Sequence, residues 1–371
     1  VVKLGFTNDR YEVICKAYCH ISITSLEVYF NNKQIVLTGL TLNEITSSYQ
    51  SLRQLFSKNH LQEITVQQAE DEIAAASMAL GAAYGGSIGV TASSGPGIDL
   101  KQEAIGLALM AEVPLLIIDI QRAGPSTGMP TKIEQSDFDL AMYGRHGDSP
   151  VPILAIGSPS RAYELTLLAI DLMLTFQTPV FLLSDAAVAN SSERWQTPVL
   201  TEKQISSEYI QPIPGTPDSI YRKGGLERDY LTGMISYDGE NHQMRTNFRQ
   251  EKMLAVANYL PLPTILKHGV SDILIVTWGS TYGAVVEALK LVISARNTAP
   301  NHLHLECLFP LNASTISSIN NYSKIIIPEL NTGQVANYLK MLISIPIIQI
   351  NKVQGEPFIP EELCDKILLQ I

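Results

Sequence analysis

Three consecutive acids, Glu70-Asp71-Glu72, precede a run of mostly small apolar residues that ends at Tyr84. A carboxylate at the start of such an apolar helix can be partly buried. Burial raises its pKa, so that it can donate or accept a proton near neutral pH. The alternative is that these acids are solvated and stabilise the positive N-terminal end of the helix. Local chemistry leaves both interpretations open.

The segment from Ser93 to Gly97 combines two serines, two glycines and Pro96. Small residues between a strand and a helix let backbone amides approach a phosphate or another anion. The segment matches neither the G-x-G-x-x-G nor the Walker pattern. A tight strand-to-helix turn, in which Pro96 fixes the first helical residues, is the alternative.

A long polar segment, QRAGPSTGMPTKIEQSD, runs from Gln121 to Asp137. It follows the most apolar predicted strand, and ligands of open parallel sheets bind beyond the carboxyl ends of the strands. Arg122 offers a planar fork for a carboxylate, and the hydroxyl groups and Lys132 suit an anionic small molecule. A solvated surface loop is the alternative.

Strands and helices alternate between residues 64 and 183, which predicts a parallel sheet covered by helices on both faces. The same alternation returns near Ser271, after a polar, proline-punctuated stretch that predicts a long ordered connection. The chain is therefore divided into a divergent N-terminal segment (1–60), an α/β domain (61–195), a connection (196–270) and a second α/β domain (271–371). The predicted strands are one ending at Val66 and those over 88–92, 113–120, 151–156, 179–183, 273–277, 302–308, 324–327 and 346–350, with helices over 70–84, 100–111, 160–175, 283–295 and 361–369.

Composition excludes several classes of function. A net charge of -10 argues against nucleic acid and anionic membranes as partners. The cysteines form no C-x-x-C pair and no zinc spacing, and they do not supply a local iron–sulfur pattern. Unpaired thiols and the absence of a long apolar run predict a cytoplasmic protein that does not span a membrane. The four cysteines are Cys15, Cys19, Cys307 and Cys364.

Long ungapped motifs make one resemblance specific. The first block contains VQQAEDEIAAASMALGAAYGG, TASSGPGIDLKQEAIGLALMAEVPLLIIDIQRAGPSTGMPTKIEQSD and TPVFLLSDAAVANSSERW. The second block adds TWGSTYGAVVEALK, IPELNTGQVANYL and KVQGEPFIPEEL. Over residues 64–371, these motifs resemble the alpha subunit of 2-oxoacid:ferredoxin oxidoreductases, in particular the 2-oxoglutarate type.

The resemblance implies an α/β fold: a transketolase-like pyrimidine domain with a parallel sheet, which binds thiamine diphosphate, followed by a transketolase C-terminal-like α/β domain. It implies oxidative decarboxylation of 2-oxoglutarate to succinyl-CoA, with coenzyme A as acyl acceptor and electrons passed to ferredoxin. The thiamine diphosphate would be shared with a beta subunit. Magnesium and a [4Fe-4S] cluster are expected in that beta subunit and not in this chain, and a gamma subunit is a further possible partner.

The resemblance also gives individual residues a role. Glu70 matches the glutamate that protonates the far ring nitrogen of the cofactor. Arg122 matches the arginine that binds the carboxylate of the 2-oxo acid. Thr131 lies in the loop that selects the far end of the substrate, and Thr127 lies in the same loop. The predicted cofactor-binding residues are Glu70, Ser94 and Gly95.

The N-terminal region departs from the family pattern. Where the family carries a YPITP motif, this chain has Asn43-Glu44-Ile45-Thr46, so Thr46 is the candidate for the substrate-binding threonine. Two alternatives stay open: the same chemistry on pyruvate or branched-chain 2-oxo acids, and a non-catalytic scaffold subunit with a degenerate N-terminus. A dinucleotide-dependent dehydrogenase is disfavoured because G-x-G-x-x-G is absent.

Overall fold

The computed structural model describes residues 64–194 and 224–371 and, besides these, three strands at 3–7, 10–14 and 35–39. Within this part of the chain, no helix is both long and apolar enough to cross a bilayer. Strands β1 (Lys3–Thr7) and β2 (Arg10–Ile14) pair antiparallel with each other.

The larger sheet is built mainly from parallel strands. The parallel strands are β3 (Ile35–Gly39), β4 (Ile64–Gln68), β5 (Ile88–Ser93), β6 (Leu115–Gln121), β7 (Ile153–Ala155) and β8 (Pro179–Asp185). They lie in the order β7-β8-β6-β5-β3-β4, and every neighbouring pair is parallel. The predicted parallel sheet is therefore confirmed, and β3 joins it from within the N-terminal segment.

Helices cover both faces of this sheet, as β6 illustrates. Leu115 and Ile117 pack with apolar residues of the first two helices, whereas Leu116 and Ile118 pack with those of the fourth helix. Alternate residues of one strand thus enter two separate cores, which is why the strand is apolar almost throughout. The helices of this domain are α1 (Glu72–Tyr84), α2 (Gly95–Ala111), α3 (Phe138–Tyr143), α4 (Pro159–Phe176) and α5 (Ala186–Asn190).

Two predicted helix starts shift by a few residues. The first helix begins at Glu72 rather than Glu70, because the Asp71 carboxylate accepts a hydrogen bond from Ala74 N and caps the helix. The second begins at Gly95 rather than Leu100, with Pro96 in its first turn. The segment Ser93 to Gly97 is therefore the last strand residue, the N-cap and the first helical turn.

The predicted connection, residues 196–270, contains a long helix that the sequence did not reveal. Helix α6 (Gly239–Tyr259) is capped by Asp238, which accepts a hydrogen bond from Asn241 N. Met253 and Val256 pack into the core on the α4 face of the larger sheet. Few of its residues are buried, so its apolar face is too narrow for hydrophobic periodicity to reveal the helix in the sequence.

The second sheet has the order β14-β13-β10-β11-β9, in which only the edge pair β11–β9 is antiparallel. The strands of the C-terminal region are β9 (Ile265–Leu266), β10 (Ile273–Trp278), β11 (Asn301–Leu305), β12 (Cys307–Phe309), β13 (Lys324–Glu329) and β14 (Ile347–Asn351). The helices are α7 (Thr281–Arg296), α8 (Ala313–Asn320), α9 (Gln334–Leu339) and α10 (Pro360–Leu368).

The prediction of one continuous strand over 302–308 is wrong. The chain leaves the second sheet after β11, and β12 pairs antiparallel with β7 at the edge of the larger sheet. Glu306 lies at the break, where its carboxylate accepts two hydrogen bonds from Arg161 of α4. The C-terminal region thus adds an edge strand to the larger sheet.

Candidate active site

Three predicted site segments follow parallel strands and therefore lie at one edge of the larger sheet. Glu70 follows β4, Ser94 follows β5 and Arg122 follows β6. The carboxyl ends of parallel strands share an edge, and this edge is where open α/β sheets bind their ligands. The fold thus brings these three residues to the same side of the molecule.

Close contacts connect the three segments. A methyl group added at Gly97 would overlap Ser93 Oγ and lie 2.9 Å from Glu72 Cγ, so the turn after β4 packs against the turn after β5. A methyl group added at Gly95 would lie 2.8 Å from Asp137 Oδ1, which links the same turn to the end of the loop after β6. A Cβ at either position would force these side chains to shift.

The three acids at the start of α1 have separate surroundings. Asp71 is the helix cap, and Glu72 is the first helical residue. Glu70 precedes both and is exposed in this chain. The helix-stabilising role that the sequence left open is therefore filled by Asp71. Dry surroundings for Glu70 would require a covering surface from outside the described residues.

Arg122 is held by the residues on either side of its loop. Its carbonyl accepts a hydrogen bond from Ser136 Oγ at 2.8 Å. The neighbouring Gln121 donates to Ser184 O and accepts from Asp137 N at 3.0 Å. Among the residues that the structure describes, Arg122 Nε is buried without a hydrogen-bond partner. The backbone of Arg122 is therefore held in place, and its guanidinium still has a donor for an anion.

The loop between Arg122 and Lys132 projects from this edge. Thr127 and Thr131 are both exposed in it. The loop is closed at its base, where Ala123 N donates to Lys132 O at 3.0 Å. Thr46, the remaining predicted substrate residue, lies outside the described residues.

Comparison with known proteins identifies the family. Residues 45–250 match the family described as pyruvate flavodoxin/ferredoxin oxidoreductase, thiamine diphosphate-binding. The chain belongs to this family. It is 41% identical over 340 residues to the 2-oxoglutarate oxidoreductase subunit KorA of Mycobacterium tuberculosis, covering 86% of this chain and 52% of that protein. It is 33% identical over 306 residues to the 2-oxoglutarate synthase subunit KorA of Archaeoglobus fulgidus, covering 80% of this chain and 84% of that protein.

A solved member of this oxidoreductase family has the same architecture. The 2-oxoglutarate:ferredoxin oxidoreductase of Magnetococcus marinus, solved with 2-oxoglutarate, coenzyme A and succinyl-CoA bound, matches with a TM-score of 0.80 and 30% identity, over 91% of this chain and 62% of that one. A split-gene transketolase matches at a TM-score of 0.52 and 14% identity, over 91% of this chain and 87% of that one, which shows the fold alone. The transketolase-like α/β fold is confirmed. The chain spans about half the length of the M. tuberculosis relative, 52%.

The edge described above fits the pyrimidine half of a thiamine diphosphate site. Glycines let the backbone approach a ring closely, and Glu70 is an exposed carboxylate at the same edge. The hydroxyl of Ser94 is not used as a helix cap. Within the described residues, Asp137 Oδ2 is buried and without a partner, like Arg122 Nε. Buried polar atoms without a protein partner, such as these two, are expected where a polar ligand binds.

The sequence did not reveal a set of buried charged residues beneath these loops. Lys101 of α2 and Asp119 of β6 are both fully buried, at 0% exposure. Burial lowers the pKa of Lys101 to about 8. Burial also raises the pKa of Asp119 well above its usual range, and it raises that of Asp137 to about 6. A charged residue within the otherwise apolar strand LLIIDIQ was the signal available in the sequence.

The second domain supports the same loop. Gln135 donates to Trp278 O at 2.8 Å and accepts from Leu330 N at 2.9 Å, so it joins the ends of β10 and β13. Asn331 donates to Gln135 O at 2.8 Å. The predicted substrate loop is therefore fixed at one end by β6 and at the other by the second sheet.

Proposed function

We propose that this chain acts as the alpha subunit of a thiamine-diphosphate-dependent 2-oxoacid:ferredoxin oxidoreductase, with 2-oxoglutarate as its substrate. The observation that carries the proposal is the convergence of Glu70, the Ser94-Gly95 turn and Arg122 at one sheet edge in a chain of this family. The names of its relatives support the choice of 2-oxoglutarate. The products would be succinyl-CoA, carbon dioxide and electrons passed to ferredoxin.

Each residue of this chain has a separate role in the proposed reaction. Thiamine diphosphate, when bound, would supply the nucleophilic carbon and the electron-accepting ring that decarboxylation of a 2-oxo acid requires. Glu70 holds a proton at the far ring nitrogen of its pyrimidine. Arg122 binds the carboxylate beside the reacting carbon through its fork of donors. Thr131 and Thr127 contact the distal end of the substrate, and Thr46 completes the substrate site.

The remaining parts of the reaction belong to partners. We propose that a beta subunit covers Glu70 and provides magnesium, the diphosphate site and the [4Fe-4S] cluster from which ferredoxin is reduced. Coenzyme A and a possible gamma subunit complete the assembly, in the cytoplasm. The alternative is a broader range of 2-oxo acids, which the Saccharolobus solfataricus relative named as a 2-oxoacid:ferredoxin oxidoreductase subunit favours.

Co-expression with a family beta subunit tests the proposal. The purified complex is expected to reduce methyl viologen with 2-oxoglutarate and coenzyme A, and to do so more slowly with pyruvate and 2-oxoisovalerate. The chain purified alone is expected to contain no iron. A complex that assembles and binds thiamine diphosphate but reduces no acceptor with any of the three acids would support the scaffold alternative instead.

A further inference from the structure

Lys101 lies beneath the connection between β5 and α2. It is in the second turn of α2 and is fully buried, at 0% exposure. Its Nζ donates to Thr91 Oγ1 at 2.8 Å and to Ala92 O at 2.9 Å. The ammonium group therefore ties the helix back to the end of the strand, and the residues between these two anchors include the Ser93–Gly97 turn.

The ends of this turn are constrained from two directions. Lys101 holds the Ala92 carbonyl, immediately before Ser93, from below. Asp137 packs against Gly95 from the side, and its own backbone N–H is held by Gln121. The position of the turn thus depends on one buried ammonium group and one buried carboxylate.

Burial disfavours the charged form of Lys101, and two nearby acids offset part of that cost. Glu72 of α1 and Asp119 of β6 both favour its protonated form. Asp119 pairs in register with Ser93 across the β5–β6 ladder. Both of its oxygens are buried without a hydrogen-bond partner in the described part of the chain. Burial raises the pKa of Asp119, and the nearby Asp137 and Asp99 raise it further. Burial likewise raises the pKa of Asp137, and Glu134 adds to this effect.

A buried lysine of this kind is not required for a stable core. Desolvation of an ammonium group opposes burial, and an apolar side chain of similar length is often equally stable at such a position. Lys101 donates its bonds to the end of β5, immediately before the turn that carries the predicted cofactor residues. The presence of a lysine at this position is therefore better explained by the geometry of that turn than by stability.

We propose that Lys101 is a positioning residue for thiamine diphosphate, holding the Ser93–Gly97 turn in the conformation that receives the pyrimidine half of the cofactor. The inference rests on the proposed function for the identity of the ligand. Lys101 acts through the backbone of the turn and not by contact with substrate. Its loss should weaken cofactor binding while leaving turnover at saturating cofactor nearly intact.

The test is the Kd for thiamine diphosphate of the purified alpha–beta complex with magnesium, measured by isothermal titration calorimetry. Lys101→Met is expected to weaken binding about ten- to hundred-fold, the range of a charge-assisted hydrogen bond. Its kcat at saturating cofactor should stay within about threefold of the wild type, because the reacting groups are unchanged. Thr91→Val should weaken binding less, and the double variant should bind no more weakly than Lys101→Met alone.

Lys252→Met is the matched control. Lys252 is also buried, at 3% exposure, but it pairs with Glu112, which precedes β6 at the opposite edge of the sheet. Its removal should leave the cofactor Kd unchanged whatever it does to the thermal midpoint. The wild type should also bind thiamine diphosphate less tightly as the pH rises through about 8, because the buried Lys101 ammonium then loses its proton. The Kd of Lys101→Met should not show this pH dependence.

An unchanged Kd in Lys101→Met would overturn the inference, as would an equal loss in Lys252→Met. Multiplicative losses in the Thr91–Lys101 double variant would overturn it too, since the two residues would then act independently. A complex that shows the expected binding pattern but no turnover with any 2-oxo acid would refute the proposed function and leave this inference standing. A complex that does not bind thiamine diphosphate would refute both.

Discussion

Glu70 and Asp71 are adjacent acids with different surroundings, and this difference makes Glu70 testable. Asp71 caps α1, whereas Glu70 precedes the helix and is exposed in this chain. Glu70→Gln should therefore leave the fold and subunit assembly intact. It should cut turnover about 100-fold or more, because a carboxamide cannot hold the ring proton. Methyl viologen reduction by the alpha–beta complex measures the turnover, and Glu251→Gln, at an exposed position of α6, is the control. Near-normal activity of Glu70→Gln would mean that Glu70 is only a solvated acid.

Variants of Arg122 and Thr131 should distinguish the anchoring of the substrate from its selection. Arg122→Lys keeps the charge but loses the fork, so kcat/KM should fall about ten- to hundred-fold for every 2-oxo acid alike. Thr131→Val removes a hydroxyl from the exposed loop and should penalise 2-oxoglutarate more than pyruvate, which has no distal carboxylate. The measurement is kcat/KM for both acids in both variants. Equal losses for the two acids in Thr131→Val would place the selection of the distal carboxylate in the partner subunit.

At the scale of elements, the start of α2 and its middle tolerate a side chain differently. Gly97 faces Ser93 and Glu72 closely, whereas a methyl group at Gly106 in the same helix meets nothing within 4 Å. Gly97→Ala should destabilise the chain by about 1–3 kcal/mol through overpacking. Gly106→Ala should stabilise it by up to about 1 kcal/mol, because alanine loses less backbone entropy in a helix. Denaturant unfolding of both variants checks the pair, and a similar effect at the two positions would contradict the close packing of the turn.

At the scale of the whole molecule, a pair of histidines at the junction of the sheets couples folding to pH. His302 and His304 of β11 both hydrogen-bond Thr277 Oγ1. A methyl group at Gly157, after β7, would overlap His304 Nε2. Burial lowers the pKa of His302 to about 3 and that of His304 to about 4. The unfolded chain therefore binds protons below about pH 6.5 that the folded chain does not, and stability is lost as the pH falls from there.

Each buried histidine should cost up to about 1.4 kcal/mol of unfolding free energy per pH unit below its unfolded pKa. Asp137 acts in the opposite sense because its pKa is raised to about 6, so the wild-type slope is a sum of both signs. His302→Gln removes one titrating group and keeps an amide that can reach Thr277. Its unfolding free energy should fall less than that of the wild type between pH 7 and 5. Parallel slopes in the two proteins would show that His302 is not buried in its neutral form.

The sequence by itself determined the local features of this protein. The alternation of apolar strands and helices predicted the parallel sheet, and the long motifs around Glu70 and Arg122 predicted the family, both of which are confirmed. These features can be predicted because the periodicity of strands and helices depends on residues that are close in sequence. The roles of the predicted site residues and the predicted domain boundaries remain predictions.

Only the tertiary structure decided which distant residues meet. The placement of β12 beside β7, and the bonds of Gln135 to the ends of β10 and β13, join residues more than 100 positions apart. The burial of Lys101 and Asp119 likewise depends on the packing of α2 against β5 and β6, because no local pattern shows whether a charged side chain faces water or the core. Non-local pairing and burial are properties of the packed chain, so the support beneath the Ser93–Gly97 turn appears only in the folded molecule.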